Sequence, residues 1–138
     1  MKQAFHNLTI PTKGPGLYEF TDQAEKFVEG EKIENGLLTC FVRHTSASLL
    51  IQENAAPAAR RDLEHYFVSI APESHDYEHD DEGPDDMPAH LRAALTQTSL
   101  TIPVIGGRPA LGTWQGIYVF EHRHAPHSRQ LALHLIGE

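Results

Sequence analysis

Residues 37–43 read Leu-Leu-Thr-Cys-Phe-Val-Arg, a run with almost no polar interruption. Such a run is typical of a strand at the centre of a sheet. Further strands are predicted at 3–10 (ended by Pro11), 17–20, 47–52, 98–105, 114–121 and 129–136. Strands outnumber helices and do not alternate with them strictly. The pattern therefore predicts an α+β fold with a mainly antiparallel sheet.

Helices are predicted in three places. The first begins after a cap at Thr21 or Asp22 and ends at Gly30. The second runs from about residue 57 to 69, and its apolar spacing predicts one buried face, made of Ala59, Leu63, Tyr66 or Phe67, and Ile70. The third is short and is capped by Asp86, with Pro88 in its first turn and three inward-facing residues, Leu91, Ala94 and Leu95.

Length and cysteine content limit the class of protein. A chain of 138 residues predicts one domain, spanning 1–138. Its single cysteine, Cys40, lies in the apolar run, where a buried and unreactive thiol is expected. With no export signal, no disulfide framework and no apolar run long enough to span a bilayer, we expect a cytoplasmic protein without membrane contact.

The net charge of −8 is concentrated in one segment. Residues 73–86 contain eight acidic residues and neither lysine nor arginine, and the rest of the chain is balanced. No basic stripe is present to follow a phosphate backbone, which argues against nucleic-acid binding. The acidic segment could attract a cation, or it could be a solvated loop.

Ten histidines are available as ligands or bases. Seven are expected to be ordinary surface or packed residues: His6, His65, His75, His122, His124, His127 and His134. Three have more informative settings, since His44 ends the central strand, His79 lies in the acidic segment, and His90 follows Asp86 by one helical turn. Histidine and carboxylate together form a common zinc shell, although the spacing of His79 and His90 is not by itself specific for zinc.

Two common catalytic motifs are absent from the sequence. Residues 44–48, His-Thr-Ser-Ala-Ser, do not form the nucleophile elbow of serine hydrolases. The glycines at 106, 107 and 112 are not followed by the lysine of a nucleotide-binding loop. Neither a serine nucleophile nor a phosphate-binding P-loop is therefore expected.

Several motifs in a fixed order carry a resemblance to a known family. The motifs are His44-Thr45-Ser46-Ala47-Ser48-Leu49, Glu53-Asn54, Arg60-x-Asp62, Tyr77-Glu78-His79-Asp80, Asp85-Asp86-Met87-Pro88-Ala89-His90, Gly112-Thr113-Trp114-Gln115, Glu121-His122-Arg123 and Ser128-Arg129. Together they resemble the YjbQ family, known as secondary thiamine-phosphate synthases. The resemblance extends nearly from end to end.

The resemblance implies a half-barrel sheet, a homotrimer and a metal-associated pocket near subunit boundaries. It implies His44, His79 and His90 as ligands of a divalent metal, zinc first, with magnesium or manganese as alternatives. The surrounding polar residues it implies are Glu53, Asp62, Asp86, Gln115, Glu121 and Arg129.

The implied reaction joins a pyrimidine diphosphate to a thiazole phosphate, with a metal and Arg129 neutralising the leaving diphosphate. Two alternatives stay open at this point. One is a metal-dependent hydrolase with Glu53 or Asp86 as general base. The other is a trimeric ligand-binding or regulatory module without turnover.

Overall fold

The structure is a computed structural model that describes residues 1–74 and 76–138; His75 lies outside the described residues. The strands are β1 (Lys2–Thr12), β2 (Gly16–Glu19), β3 (Asn35–Val42), β4 (Ala47–Glu53), β5 (Ser99–Ile105), β6 (Arg108–Pro109), β7 (Gln115–Glu121) and β8 (His127–Gly137). The helices are α1 (Thr21–Glu31), α2 (Pro57–Ile70) and α3 (Asp86–Leu95).

The strands form two antiparallel sheets, which confirms the predicted α+β class. Sheet A has the order β1-β8-β3-β5-β6 and curls into a half-barrel, and sheet B has the order β2-β7-β4. As predicted, β3 is central, because it pairs with β8 on one side and β5 on the other. Pro11 does not end β1 but pairs with Ser128 inside it. An edge strand tolerates proline because its outer N–H groups have no partner strand.

The inner face of sheet A forms the core with α1. Alternate residues of β3, including Leu38, Cys40 and Val42, are buried together with Ala24 and Val28 of α1. Burial raises the pKa of the Cys40 thiol to about 12, which confirms the expectation of an unreactive cysteine. The outer face of β3 is open, and Leu37 and Phe41 are each nearly half exposed.

The ends of α1 differ from the prediction. Gly30 lies inside the helix, and Lys32 supplies the left-handed residue at its C-terminus, with φ of 57°. Thr21 is the first helical residue and not a cap, because its hydroxyl donates to Glu19 and accepts the Ile117 N–H. Sheet B therefore fixes the start of this helix.

The buried faces of α2 and α3 also correct the prediction. In α2 only Phe67 is buried, with Leu63 partly buried, whereas Ala59, Tyr66 and Ile70 are exposed. In α3 the buried residues are Asp86, Pro88, Ala89 and Arg92, and Leu95 is exposed. The cap of α3 is Asp85, one residue earlier than predicted. Apolar periodicity misses the buried face of α3 because two of its four buried residues, Asp86 and Arg92, are charged.

None of the described helices is long and apolar enough to cross a membrane.

Candidate metal centre and adjoining pocket

His79, Asp86 and His90 converge at the start of α3. Asp86 Oδ2 lies 3.0 Å from His79 Nε2 and 3.3 Å from His90 Nε2. One potential ligand atom from each residue lies within 4.8 Å of the other two. Two imidazoles and one carboxylate are a donor set that suits zinc or a similar divalent ion.

Local and distant parts of the chain build this group. Asp86 and His90 are one turn apart on α3, so helix geometry places them on one face, as predicted. His79 lies on the loop that leads into α3. The conformation of this loop, and not helix geometry, brings its imidazole next to Asp86.

The guanidinium of Arg123 holds the junction between this loop and α3. Its Nη1 donates to Asp86 Oδ1 at 2.6 Å, its Nε donates to Asp85 Oδ2 at 3.0 Å, and its Nη2 donates to the Glu82 carbonyl at 3.0 Å. All three nitrogens are thus used on this one segment. The other oxygen of Asp86 is left to face the two histidines.

Negative charge surrounds His79. A hydrogen bond with Glu82 at 2.9 Å is the main cause that raises the pKa of His79, and Asp86 and Asp81 act in the same direction. His79, Asp81 and Glu82 form a second group whose ligand atoms lie within 4.8 Å of one another. The same carboxylates that favour a protonated imidazole would favour a bound cation.

Glu121 and Arg129 form a buried pair that supports Arg123. Both oxygens of Glu121 accept from the Arg129 guanidinium, and Oε2 also accepts the N–H groups of His122 and Arg123. Burial alone would raise the pKa of Glu121, but Arg129 and Thr12 hold it below its ordinary value. Because Arg129 is buried and bonded to Glu121 and Ser46, its guanidinium is internal and is not open to a leaving diphosphate.

A pocket of about 500 Å³ adjoins the histidine–aspartate group and shares His90 with it. Its lining residues are Phe41, Val42, Arg43, His44, Thr45, His90, Ala93, Ala94 and Thr98. The predicted residues His44 and His90 therefore lie on one pocket.

His44 differs from the predicted role of ligand. Its Nε2 accepts the Gln130 N–H at 2.8 Å, which places the proton of the neutral ring on Nδ1. Burial, followed by the charge of Arg129, lowers the pKa of His44 and keeps the ring neutral. Asp86, and not His44, completes the group with His79 and His90. In this arrangement Nδ1 of His44 carries the N–H, and His44 is one of the residues that line the pocket.

Glu53, Asp62 and Gln115 are not brought to this group. Glu53 pairs with Gln115 at one end of β4, whereas Ala47 pairs with Glu121 at the other end. A seven-residue strand separates its ends by roughly 20 Å. Gln115 Oε1 accepts the Gly112 N–H at 2.7 Å, and Asp62 is exposed on α2.

The sequence does not indicate the roles of two arginines and one histidine. Arg123 was part of a motif, but its partners lie 37 to 41 residues away in sequence. Arg43 precedes the motif that begins at His44. His122, expected to be ordinary, is fully buried against Ser48 Oγ at 2.9 Å, and burial followed by the charge of Arg92 lowers its pKa to about 3.

Comparison with known proteins places the chain in a family. The family model described as UPF0047 protein YjbQ-like matches residues 6–138. The chain belongs to the YjbQ-like UPF0047 family. A UPF0047 protein from Synechocystis is 49% identical over 95% of this chain and 90% of its own length. The UPF0047 protein YjbQ of Escherichia coli is 42% identical over 95% of this chain and 96% of its own length.

Solved structures of UPF0047 relatives share the fold. A YbjQ-like protein of unknown function from Sulfolobus solfataricus has a TM-score of 0.89 at 25% identity, covering 99% of this chain and 100% of that one. A YjbQ/UPF0047 family protein from Clostridium acetobutylicum has a TM-score of 0.85 at 29% identity, covering 96% of this chain and 99% of that one. The predicted family and half-barrel fold are both confirmed.

Proposed function

We propose that this UPF0047 protein is a metal-dependent enzyme that acts on a small phosphorylated molecule. The observation that carries the proposal is the convergence of His79, Asp86 and His90 beside a pocket that shares His90. A site of this kind combines ligands for a cation with space for a substrate. Both are needed when a highly charged leaving group must be stabilised.

The donor atoms of this group fit a divalent metal and favour zinc. His79 and His90 supply imidazole nitrogen, and Asp86 supplies carboxylate oxygen. Magnesium and manganese prefer shells made mainly of oxygen, so they are the weaker candidates. Arg123 would orient Asp86 through Oδ1 and leave Oδ2 for the metal.

The reaction we propose is the joining of a pyrimidine diphosphate to a thiazole phosphate, as the resemblance implies. A divalent metal would supply positive charge to the leaving diphosphate. His44 would donate a hydrogen bond to bound substrate, since its ring is neutral and its Nε2 is already an acceptor. The pocket has no P-loop, so we expect the synthase activity to be weak and to require metal.

We propose that the protein assembles as a homotrimer. The outer face of sheet A exposes large apolar side chains, namely Phe5, Leu37, Phe41 and Ile105. Phe41 belongs both to this face and to the pocket, so contact across the face would place the pocket at a subunit boundary. If Glu53 and Gln115 take part in the reaction, they would have to come from a neighbouring subunit, because of their separation along β4.

Product analysis tests the proposed reaction. Zinc-loaded protein should form thiamine phosphate and pyrophosphate only when both substrates are present, and a chelator should abolish the product. His90→Ala should be inactive, whereas His65→Ala, at an exposed position on α2, should keep wild-type activity. Hydrolysis of a single substrate would instead identify a hydrolase, and binding without product would identify a ligand-binding module.

A further inference from the structure

The end of β3 sets two exposed side chains next to each other on the pocket. Arg43 follows the last residue of β3, and its N–H still donates to the Gln130 carbonyl at 3.1 Å. The backbone therefore continues the strand, and Phe41 and Arg43 lie on the same face. Both are exposed, and both line the pocket that His90 shares with the metal-ligating group.

Arg43 is the arginine that remains available at this site. Arg123 is bonded to Asp85 and Asp86, Arg129 to Glu121, and Arg92 to the Ala71 carbonyl. Within residues 1–74 and 76–138, the Arg43 side chain has no hydrogen bond or ion pair. Among the described residues, those that line the pocket include no carboxylate. The Arg43 guanidinium is therefore available to bind a ligand next to the proposed cation site. The described lining of the pocket carries no negative charge.

We propose that Arg43 binds the phosphate of the substrate and that Phe41 packs against its organic ring. This inference deepens the proposed function, because it assigns the adjoining pocket to the substrate. A guanidinium presents a planar fork of donors that matches two phosphate oxygens. An anion approaching a chain of net charge −8 needs such a local cation, since the acidic loop would repel it.

The other walls of the pocket agree with a ring that carries a phosphate. Ala93 and Ala94 of α3 contribute apolar lining to the pocket, and Arg43, His44 and Thr45 contribute polar lining. Phe41 adds an aromatic ring to the lining of the pocket. A phosphorylated ring bound in this pocket would have both Arg43 and His90 among its lining residues.

Binding of inorganic pyrophosphate to metal-free protein, measured by isothermal titration calorimetry, tests the role of Arg43. Arg43→Gln should weaken the affinity roughly tenfold, as expected for loss of one charge-assisted contact. Arg43→Lys keeps the positive charge but loses the planar fork of donors. Its affinity for pyrophosphate should lie between those of the wild type and Arg43→Gln. Arg108→Gln is the matched control, because it removes the same charge from a distant exposed position on β6, and it should bind like the wild type.

The role of Phe41 is tested with phenyl phosphate. Wild-type protein should bind phenyl phosphate more tightly than inorganic phosphate. Phe41→Ala should abolish that difference in affinity. Arg43→Gln should weaken the binding of both ligands. The proposal is overturned if Arg43→Gln binds pyrophosphate like the wild type, or if Arg108→Gln weakens it equally. These titrations need no turnover. An inactive protein that still binds pyrophosphate through Arg43 would therefore refute the proposed reaction and support this inference.

Discussion

Arg123 donates a 2.6 Å hydrogen bond to Asp86, and it does so to the carboxylate oxygen that faces away from the two histidines. The pair joins the segment after β7 to the first turn of α3. One side chain thereby determines both the orientation of Asp86 and the position of the loop that carries His79. The site consequently depends on a residue that would not itself touch the metal.

Replacing Arg123 should weaken metal binding more than it changes the fold. Arg123→Gln removes the hydrogen bonds that the guanidinium donates to Asp86 and Asp85. Loss of an orienting partner typically reduces metal affinity by roughly tenfold to a hundredfold. Zinc competition titrations should show this loss in Arg123→Gln and not in Arg108→Gln. Equal affinity in the two variants would mean that Arg123 does not orient the site.

His122 should make the protein less stable in mild acid. Its folded pKa is about 3, lowered first by burial and then by Arg92, while the unfolded ring has a pKa near 6.5. His122 is therefore protonated in the unfolded chain at pH values where it stays neutral in the folded chain. The free energy of unfolding consequently falls as the pH drops from about 6.5 towards 3. Between pH 7.5 and 5.5 this single group costs on the order of 1 kcal/mol.

Urea denaturation of His122→Gln at the two pH values isolates this effect. The variant should lose less free energy of unfolding than the wild type over that interval, whatever its absolute stability. His65→Gln, at an exposed site, should keep the wild-type difference. An unchanged pH dependence in His122→Gln would show that the buried ring does not resist protonation.

Replacement of glycine by alanine should have opposite effects on stability at Gly36 and at Gly30. A Cβ at Gly36 would lie 2.2 Å from the Ile136 carbonyl oxygen, where β3 pairs with β8, whereas a Cβ at Gly30 meets nothing within 4 Å. Gly36→Ala should destabilise the protein by about 1–3 kcal/mol because the strands must separate. Gly30→Ala lies inside α1 and should be neutral or stabilising by up to about 1 kcal/mol. Thermal denaturation compares the two variants, and a Gly36→Ala variant as stable as the wild type would contradict the close approach of β3 and β8 at this position.

We expect the outer face of sheet A to form the contacts between the subunits of the proposed trimer. Light scattering after gel filtration should report about three times the chain mass of 15.4 kDa. Leu37→Asp places a charge on that face and should shift the protein towards monomers. Val68→Asp, on an exposed position of α2, should not. A wild-type monomer at micromolar concentration would refute the proposed trimer.

The sequence predicts features that depend on neighbouring residues along the chain. The apolar run around Cys40 gives the central strand, and the four-residue spacing of Asp86 and His90 gives their common face on α3. Gly106 and Gly107 both have positive φ, a conformation that glycine adopts at no steric cost, so their turn is a local feature in the same sense. Each of these features depends on helix or strand periodicity or on local backbone preference.

Features that depend on distant partners could not be predicted in this way. Arg92 is buried on α3 because the Ala71 carbonyl accepts its Nη2 hydrogen, 21 residues earlier. His44 is an acceptor for the Gln130 N–H because β3 and β8 are neighbours, and this bond removes its Nε2 from any ligand set. Only the tertiary structure shows that Arg129 is internal while Arg43 is open.

The zinc content of the protein after equilibrium dialysis tests the central claim most directly. The account predicts about one zinc per chain for the wild type and for His65→Ala. His79→Ala and His90→Ala should fold normally by circular dichroism and yet lose the bound zinc. Wild-type zinc content in both of these variants would contradict a metal centre at His79, Asp86 and His90.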